Sequence, residues 1–351
     1  MNAIVYHGPQ KLSLSPKEIP IPLEHEVLIQ VKAAALCHTD LHFQDGTLNL
    51  NSTNFTLGHE IAGTITKVGP SVSPQLIGKR VVVYYYVGCG VCEWCLKGEE
   101  QLCGSLKSEF GFISDGGLAG YLKCPSLNCV SIPDSLSFEQ AAPIGCGVTT
   151  AVHASKRADM KSTDTVVVYG CNGVGYGLVQ LAHNMSCPTI IAVARQEIHR
   201  STALKYGATH VIDGTDSSTV AASIREATGG EGASIIYECV GLRETMDACV
   251  GWAGGLGKRG RLVLIGYAAG SENDFRCHPI PLVVYEQSVI GSVGATLDDL
   301  KEAVQLVADS KVRTHVDSCI GISEVLGKDG GLARIRTCRC NGKIVVNDFT
   351  S

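Results

Sequence analysis

The sequence lacks the features that mark nucleic-acid-binding, membrane-spanning and secreted proteins. It has no long basic run and a net charge of −5, whereas phosphate binding depends on clustered lysine and arginine. No uninterrupted apolar run approaches the roughly 20 residues needed to cross a bilayer. Residues 1–9 lack the basic start and small-residue cleavage site of a secretory signal. We therefore expect a cytoplasmic protein with no nucleic-acid or membrane partner.

The chain also lacks internal repeats, and its 351 residues exceed the size at which one core usually stops growing. Residues 26–35 and 61–69 are β-rich, which predicts a mainly β domain over 1–147. Five short apolar runs follow between residues 166 and 266, separated mostly by helix-length stretches. Such runs are typical of strands buried on both faces, so we predict an α/β fold with a doubly wound parallel sheet over 148–289. Residues 290–351 are expected to return to the first domain.

Disulfides are not expected, because the 16 cysteines occur without a secretory signal. Four of these cysteines have the spacing C-x2-C-x2-C-x7-C, which is typical of a tetrahedral zinc site. They are Cys89, Cys92, Cys95 and Cys103. Four thiolates fill every coordination position, so this zinc can only stabilise a loop. The chemistry must lie elsewhere.

A second candidate metal site combines residues that are distant in the sequence. Cys37 and His59 offer a thiolate and an imidazole, and Cys146 could add a third ligand that leaves the fourth position for water or substrate. Asp40 and Glu60 are suitably placed to orient these ligands. A core cysteine and a hydrogen-bonded histidine are the alternative interpretation of Cys37 and His59.

Residues 170–175, GCNGVG, follow an apolar run and precede a helix-length stretch. Gly170 and Gly175 match the first and third glycines of a dinucleotide-binding turn, whereas Asn172 replaces the middle glycine. Glycines in such a turn let the backbone approach a pyrophosphate at the N-terminus of a helix. The alternative is a turn whose glycines only permit close packing.

Together these motifs resemble those of the zinc-containing medium-chain alcohol dehydrogenases, in that family's order and spacing. The resemblance covers nearly the whole chain and includes the opening MNAIVYHGP, the C-H-T-D and G-H-E segments, the four-cysteine lobe, the glycine turn and YGATHVID. It implies a GroES-like catalytic domain with both zinc sites, a Rossmann domain and two zinc ions per chain. It also implies a small alcohol, aldehyde or ketone as substrate, and a homodimer or homotetramer.

The same resemblance implies roles for individual residues. Cys37, His59 and Cys146 match the ligands of the catalytic zinc, with Glu60 beside them. Thr39 and His42 match a relay that carries the alcohol proton, by way of the nicotinamide ribose, to solvent. The residues that match cofactor contacts are Thr150, Gly170, Gly173, Val174, Gly175 and, where relatives often carry an arginine for the pyrophosphate, Lys343.

Tyr84 and Tyr85 align approximately with residues that line the family's substrate pocket. Core strand residues are an equally good interpretation of both tyrosines.

The cofactor preference is predicted from the end of the second strand of the nucleotide-binding fold. NAD-specific relatives place an aspartate there, about 20 residues after the glycine turn, to bind the ribose hydroxyls. This chain has Ala194 and Arg195, followed by His199 and Arg200, and we assign Ala194, Arg195 and Arg200 to the cofactor site. Without the acid a 2′-phosphate is not repelled, and Arg195 can bind it through charge-assisted hydrogen bonds. We predict that NADP(H) is preferred and NAD(H) is possible. The alternative is that Arg195 faces solvent.

The implied function is hydride transfer between an alcohol and a nicotinamide cofactor, with zinc acting as a Lewis acid. A polyol dehydrogenase of the same fold is one alternative, although such relatives commonly carry a glutamate where Cys146 stands. A zinc-bearing structural protein that has lost catalysis is another. The presence of Cys37, His59, Cys146 and Thr39 argues against this second alternative.

Overall fold

The structure is a computed structural model that describes residues 1–48, 50 and 52–350. The chain forms two compact units, the first made of Met1–Thr149 with Ala295–Ser351 and the second of Thr150–Gly294. In the described part of the chain, no helix has the length and apolar character required to span a membrane.

The N-terminal part of the first unit is mainly β. Its strands and helices, in chain order, are β1 (Asn2–Tyr6), β2 (Leu12–Pro16), β3 (Glu26–Ala35), α1 (His38–Asp45), β4 (Phe55–Thr56), β5 (Glu60–Val68), β6 (Arg80–Val83), β7 (Tyr86–Val87), α2 (Glu93–Leu96), β8 (Ser108–Glu109), β9 (Tyr121–Pro125), β10 (Cys129–Ser131) and α3 (Phe138–Ala141). Short 3-10 helices at Ser126–Asn128 and Ala142–Gly145 bear on the sites described below.

The second unit alternates strands and helices around a parallel sheet. Helix α4 (Gly147–Arg157) crosses the boundary between the units. The elements that follow it are β11 (Thr165–Tyr169), α5 (Gly173–Asn184), β12 (Thr189–Ala194), α6 (Glu197–Lys205), β13 (His210–Asp213), α7 (Ser217–Ala227), β14 (Ala233–Glu238), α8 (Arg243–Asp247), β15 (Leu256–Leu264), α9 (Pro279–Tyr285) and β16 (Ser288–Gly291). The strand order is β13-β12-β11-β14-β15-β16. The predicted doubly wound α/β fold is therefore confirmed, and its order reverses at β11, where such sheets bind ligands.

Burial explains why the apolar runs form this sheet. Val166, Val167 and Val168 of β11 are fully buried, as expected for a central strand with both faces covered. The edge strand β16 was not predicted from the sequence. Its residues are mostly exposed, so it has no continuous apolar run that would reveal it.

The C-terminal segment completes the sheet of the first unit. Its elements are α10 (Leu297–Ala308), β17 (Val316–Gly321), α11 (Gly331–Arg336) and β18 (Lys343–Asp348). Strand β18 pairs antiparallel with β3, and Val345 lies opposite Ala35. The resulting seven-stranded sheet has the order β10-β6-β5-β3-β18-β17, with β9 also paired to β3. This pairing places Lys343 near the start of α1.

Candidate zinc and cofactor sites

The four cysteines of the predicted structural site lie together in the loop that follows β7. The sulfurs of Cys89 and Cys95 are 3.9 Å apart and those of Cys92 and Cys95 are 3.5 Å apart. All four sulfurs, including that of Cys103, lie within 4.8 Å of one another. Sulfurs that bind one zinc tetrahedrally at 2.3 Å are about 3.8 Å apart, so the donor set fits this ion.

The backbone of the loop already favours a thiolate in this cluster. The amides of Val91 and Cys92 donate hydrogen bonds to the Cys89 sulfur at 3.5 and 3.3 Å. These two bonds lower the pKa of Cys89 to about 6. Because zinc binds the thiolate rather than the thiol, this arrangement prepares the loop for metal.

The second candidate metal site gathers residues from three separate elements. Cys37 is the N-cap of α1, His59 and Glu60 stand at the start of β5, and Cys146 follows the 3-10 helix Ala142–Gly145. One ligand atom from each of the four residues lies within 4.8 Å of the others. His59 and Glu60 are 1% and 0% exposed. A hydrogen bond from the Cys146 thiol lowers the pKa of Cys37, although burial opposes this effect.

Local hydrogen bonds fix the position of Cys37. Its backbone amide donates to Asp40 Oδ2 at 2.9 Å, and the amide of Leu36 donates to the carbonyl of Ile344 at 2.9 Å. Asp40 is fully buried, and burial raises the pKa of its carboxyl to about 6. The chain is therefore held on both sides of the Cys37 thiol.

Three buried polar atoms around this cluster have no hydrogen-bond partner within the described residues. They are Asp40 Oδ1, His59 Nδ1 and Glu60 Oε2. Buried polar atoms are nearly always paired, so such a group indicates a missing ligand. Two sulfurs and an imidazole with carboxylates beside them suit a zinc ion with an open position.

Lys343 has a partner that the sequence did not predict. Its ammonium forms an ion pair with Glu60 Oε1, and both residues are buried. Although burial opposes it, the charges of Cys37 and Glu60 raise the pKa of Lys343 above its ordinary range. A buried ammonium requires a nearby carboxylate, and β18 brings Lys343 to Glu60 rather than leaving its charge in solvent. Its contact with a pyrophosphate stays a prediction.

Thr39 and His42 lie one turn apart on α1, so their side chains face the same side of the helix. Thr39 Oγ1 is 3.6 Å from the Cys37 sulfur. His42 is half-buried, and burial lowers the pKa of its imidazole. The structure thus places a hydroxyl beside the metal cluster and a neutral imidazole further along the helix. Their action as a relay stays a prediction.

The two tyrosines predicted to line a substrate pocket have different surroundings. The Tyr85 ring meets the His59 ring edge-on, with centroids 5.2 Å apart. The Tyr84 hydroxyl instead donates to the carbonyl of Ala295 at 3.0 Å, where both partners are buried. Tyr85 therefore borders the metal cluster, whereas Tyr84 fastens the start of the C-terminal segment.

Two residues near the metal cluster were missed from the sequence. The Phe112 ring lies 5.0 Å from His59 and stacks on Tyr85 at 5.7 Å. Glu109 is half-buried on β8, and burial raises the pKa of its carboxyl to about 7. Both residues come from a turn-rich segment without a recognisable motif, so only the folded chain reveals them.

The glycine turn connects β11 to α5 in the second unit. Gly170 has a φ of 98°, a conformation that side chains with a Cβ rarely adopt. A Cβ on Gly175 would collide with the Gly170 carbonyl oxygen. Helix α5 starts at Gly173, and Val174 lies half-buried in its first turn. Close packing is therefore sufficient to explain Gly175. The N-terminus of α5 lies beside β11, where the strand order reverses, and this position also suits a phosphate.

The two arginines after β12 are used differently. Arg200 donates to the carbonyls of Ala194 and Arg195, both at 2.8 Å, and forms an ion pair with Asp213 at 3.1 Å. Its guanidinium thus fixes the strand end, and a contact of Arg200 with the cofactor stays a prediction. Arg195 is exposed directly after the buried Ala194. His199 is buried beside Tyr176. Arg195 is the better candidate for contact with a ligand at this strand end.

Each of the two units contains a region that matches a known protein family. A family model described as the alcohol dehydrogenase GroES-like domain matches residues 23–134, and one described as zinc-binding dehydrogenase matches residues 173–309. An alcohol dehydrogenase of Geobacillus stearothermophilus is 33% identical over 320 residues, which cover 90% of this chain and 91% of that protein. The chain belongs to the zinc-containing medium-chain alcohol dehydrogenase family.

Other members of this family differ in the cofactor that they are described with. An NAD-dependent alcohol dehydrogenase of Sulfurisphaera tokodaii is 31% identical, over 89% of this chain and 90% of its own length. A solved structure of a Sinorhizobium meliloti protein bound to NADP is 26% identical, has a TM-score of 0.87, and covers 99% of this chain and 98% of its own. The protein is thus an NAD(P)-dependent alcohol dehydrogenase, and the predicted enzyme class is confirmed.

Proposed function

We propose that this alcohol dehydrogenase prefers NADP(H) to NAD(H), carries two zinc ions of unequal role, and acts on a small apolar alcohol, aldehyde or ketone. The strand end after β12 carries the cofactor proposal, because buried Ala194 stands where an acid would bind the ribose and exposed Arg195 follows it. Arg200 supports Arg195 indirectly, since it holds the backbone carbonyl of Arg195 in place.

The catalytic metal is assigned to Cys37, His59 and Cys146, with the carboxylate of Glu60 close by. When bound, zinc supplies a Lewis acid that lowers the pKa of the alcohol oxygen, and the nicotinamide supplies the hydride acceptor or donor. Glu60 is expected to bind the metal more weakly than the other three residues, because the Lys343 ammonium already neutralises the charge of its carboxylate. The four-cysteine cluster is assigned to a structural zinc, since it leaves no open position.

Proton transfer is assigned to two residues of α1. The Thr39 hydroxyl would accept a hydrogen bond from the substrate alcohol. The proton would then pass through the cofactor ribose to the His42 imidazole, which would release it to solvent. Burial lowers the pKa of His42, so its imidazole is neutral and able to accept a proton at neutral pH.

An apolar substrate is favoured over a polyol by the wall of the metal cluster. Tyr85 and Phe112 stack on each other and both contact the His59 ring. Cys146 stands where polyol-specific relatives commonly carry a glutamate. Stacked aromatic rings cannot replace the hydrogen bonds to water that the hydroxyl groups of a polyol would lose on entering the site.

Thr150 and Val174 are proposed to contact the nicotinamide. The glycine turn, with Gly170, Gly173 and Gly175, is proposed to hold the pyrophosphate.

A homodimer or homotetramer in the cytoplasm is also proposed. The edge strand β16 exposes Val289, and the preceding helix α9 exposes Ile280, Val283 and Val284. An exposed apolar edge strand readily pairs with another chain, so a second copy covering this edge would remove the patch from water.

The test is a comparison of kcat/KM for NADPH and NADH with a panel of aliphatic and aromatic aldehydes and a polyol series. The zinc content per chain and the molecular mass of the protein, measured by light scattering, test the proposed metal sites and the oligomeric state. A higher kcat/KM with NADPH, two zinc ions and no turnover of polyols are expected. Turnover confined to polyols would instead favour the polyol dehydrogenase.

A further inference from the structure

A pair of cysteines outside both metal clusters lies within reach of a covalent bond. The sulfurs of Cys124 and Cys129 are 3.6 Å apart, and neither residue belongs to a group of metal-ligating side chains in the described chain. A disulfide requires about 2.0 Å between sulfurs.

The loop between these cysteines is short and ordered. Pro125 ends β9 with φ fixed at −56°, and one turn of 3-10 helix at Ser126–Asn128 returns the chain to Cys129. The tip of the loop is exposed at Leu127, which is 83% accessible. Cys124 is fully buried, whereas Cys129 is partly accessible. A reagent from solvent can therefore reach Cys129 but not Cys124.

A bond between these cysteines would join two strands at different places in the sheet. Strand β9 pairs with β3 and strand β10 pairs with β6, while β5 lies between β3 and β6. The loop also fastens the tyrosine segment, because the Asn128 side chain donates to the carbonyls of Tyr84 and Tyr86 at 2.7 and 2.8 Å. A crosslink would thus restrain the segment that carries Tyr85 to the metal cluster.

We propose that Cys124 and Cys129 form a redox-active dithiol that low-molecular-weight disulfides such as oxidised glutathione convert into an intramolecular disulfide. The site is independent of the enzyme's cofactor preference and substrate. The Cys129 thiolate attacks one sulfur of oxidised glutathione, which forms a mixed disulfide and releases one glutathione thiolate. The Cys124 thiol then attacks the Cys129 sulfur, forms the protein disulfide and releases the second glutathione, whose departing thiolate takes up the Cys124 proton. Two protein thiols are oxidised and one glutathione disulfide is reduced.

The order of attack follows from the environment of the two thiols. The hydrogen bond to Cys129 and burial both raise the pKa of Cys124, which therefore keeps its proton in the reduced protein. Accessible Cys129 is left as the first nucleophile, and Cys124 is the resolving thiol.

The experiment treats the zinc-loaded full-length enzyme with glutathione buffers of increasing oxidised fraction, followed by acid quenching and alkylation. Trypsin releases residues 124–156 as one peptide that holds Cys124, Cys129 and Cys146. The expected product lacks two hydrogens and carries a single alkyl group, on Cys146, while both zinc ions stay bound. Fragment masses locate the bond between Cys124 and Cys129.

Three variants assign the steps. Cys124→Ser should accumulate a glutathione adduct on Cys129, whereas Cys129→Ser should leave Cys124 without an adduct. Cys319→Ser removes an exposed cysteine on β17 and should leave disulfide formation unchanged. The proposal is overturned if the wild-type peptide keeps all three alkyl groups while Cys319 is fully glutathionylated. It is also overturned if the bond forms only after zinc is lost.

Discussion

Lys343 and Glu60 form a buried ion pair that connects the C-terminal strand to the candidate metal cluster of Cys37, His59 and Cys146. The pair joins residues from opposite ends of the chain, since β18 carries Lys343 and β5 starts at Glu60. Taking two charges out of water is costly, so each buried charge needs the other to offset the hydration that it has lost. The pair therefore links folding of the C-terminal segment to the electrostatics of the metal site.

Removal of one partner of this pair is the first test. Lys343→Met leaves the Glu60 charge buried without a cation, so we expect the free energy of unfolding to fall by about 3–5 kcal/mol. Glu60→Gln combined with Lys343→Met should cost less than the sum of the two single changes. Denaturant unfolding of all four proteins measures this coupling. Additive costs would show that the two side chains do not interact. If Lys343 also contacts the pyrophosphate, the KM for cofactor rises in Lys343→Met.

Cys95→Ser should affect stability before it affects chemistry, because the four-cysteine loop depends on its metal to fold. We expect zinc content to fall from two ions to one per chain and the thermal midpoint to decrease. Cys319→Ser is the matched control, since Cys319 is exposed and lies outside the metal clusters. Lost turnover with unchanged zinc content and unchanged thermal unfolding would contradict a structural role for the loop.

Thr39→Val keeps the shape of the side chain and removes its hydroxyl, so turnover should collapse while zinc content is unchanged. His42→Ala should weaken activity mainly at lower pH. Burial lowers the pKa of His42, so the wild-type imidazole stays neutral and able to accept a proton as the pH falls towards that lowered pKa. The variant lacks this base where hydroxide and buffer bases are scarce. Profiles of kcat against pH measure both effects, and near-normal rates for Thr39→Val would refute the relay.

The cofactor preference should depend on Arg195. One charge-assisted contact with the 2′-phosphate contributes roughly 1.5–3 kcal/mol, which corresponds to about a ten- to hundredfold preference for NADPH. Ala194→Asp with Arg195→Ile should reverse this ratio of kcat/KM values. Arg157→Ile is the matched control, because Arg157 is also an exposed arginine of the second unit. Equal efficiency of both cofactors in the parent would mean that Arg195 faces solvent.

The two neighbouring tyrosines should give different phenotypes. Tyr84→Phe removes the hydrogen bond to the Ala295 carbonyl, so stability should fall by about 1 kcal/mol with unchanged kinetics. Tyr85→Ala should change KM values across a series of alcohols of increasing size, because its ring borders His59. Kinetic profiling against substrate length separates the two roles. A changed substrate range in Tyr84→Phe would place that hydroxyl in the pocket instead.

The fold class and the family could be predicted from the sequence alone, and the candidate metal ligands could be named from it. The spacing of Cys89, Cys92, Cys95 and Cys103 within one loop is sufficient to predict that the four side chains lie together, because these residues are close in the chain. Apolar runs located the central strands for the same local reason, and β12 at Thr189–Ala194 lies within the region predicted to form the parallel sheet. The exposed edge strand β16 left no such pattern.

Which distant residues meet could be seen only in the folded chain. Strand pairing between β18 and β3 brings Lys343 to Glu60, and the turn after β8 brings Phe112 to His59. Arg200, which the sequence pattern assigned to the cofactor, turns back onto the carbonyl of Ala194. These contacts depend on strand register and on the burial of charge, which is set by the packing of whole elements rather than by any local run of residues.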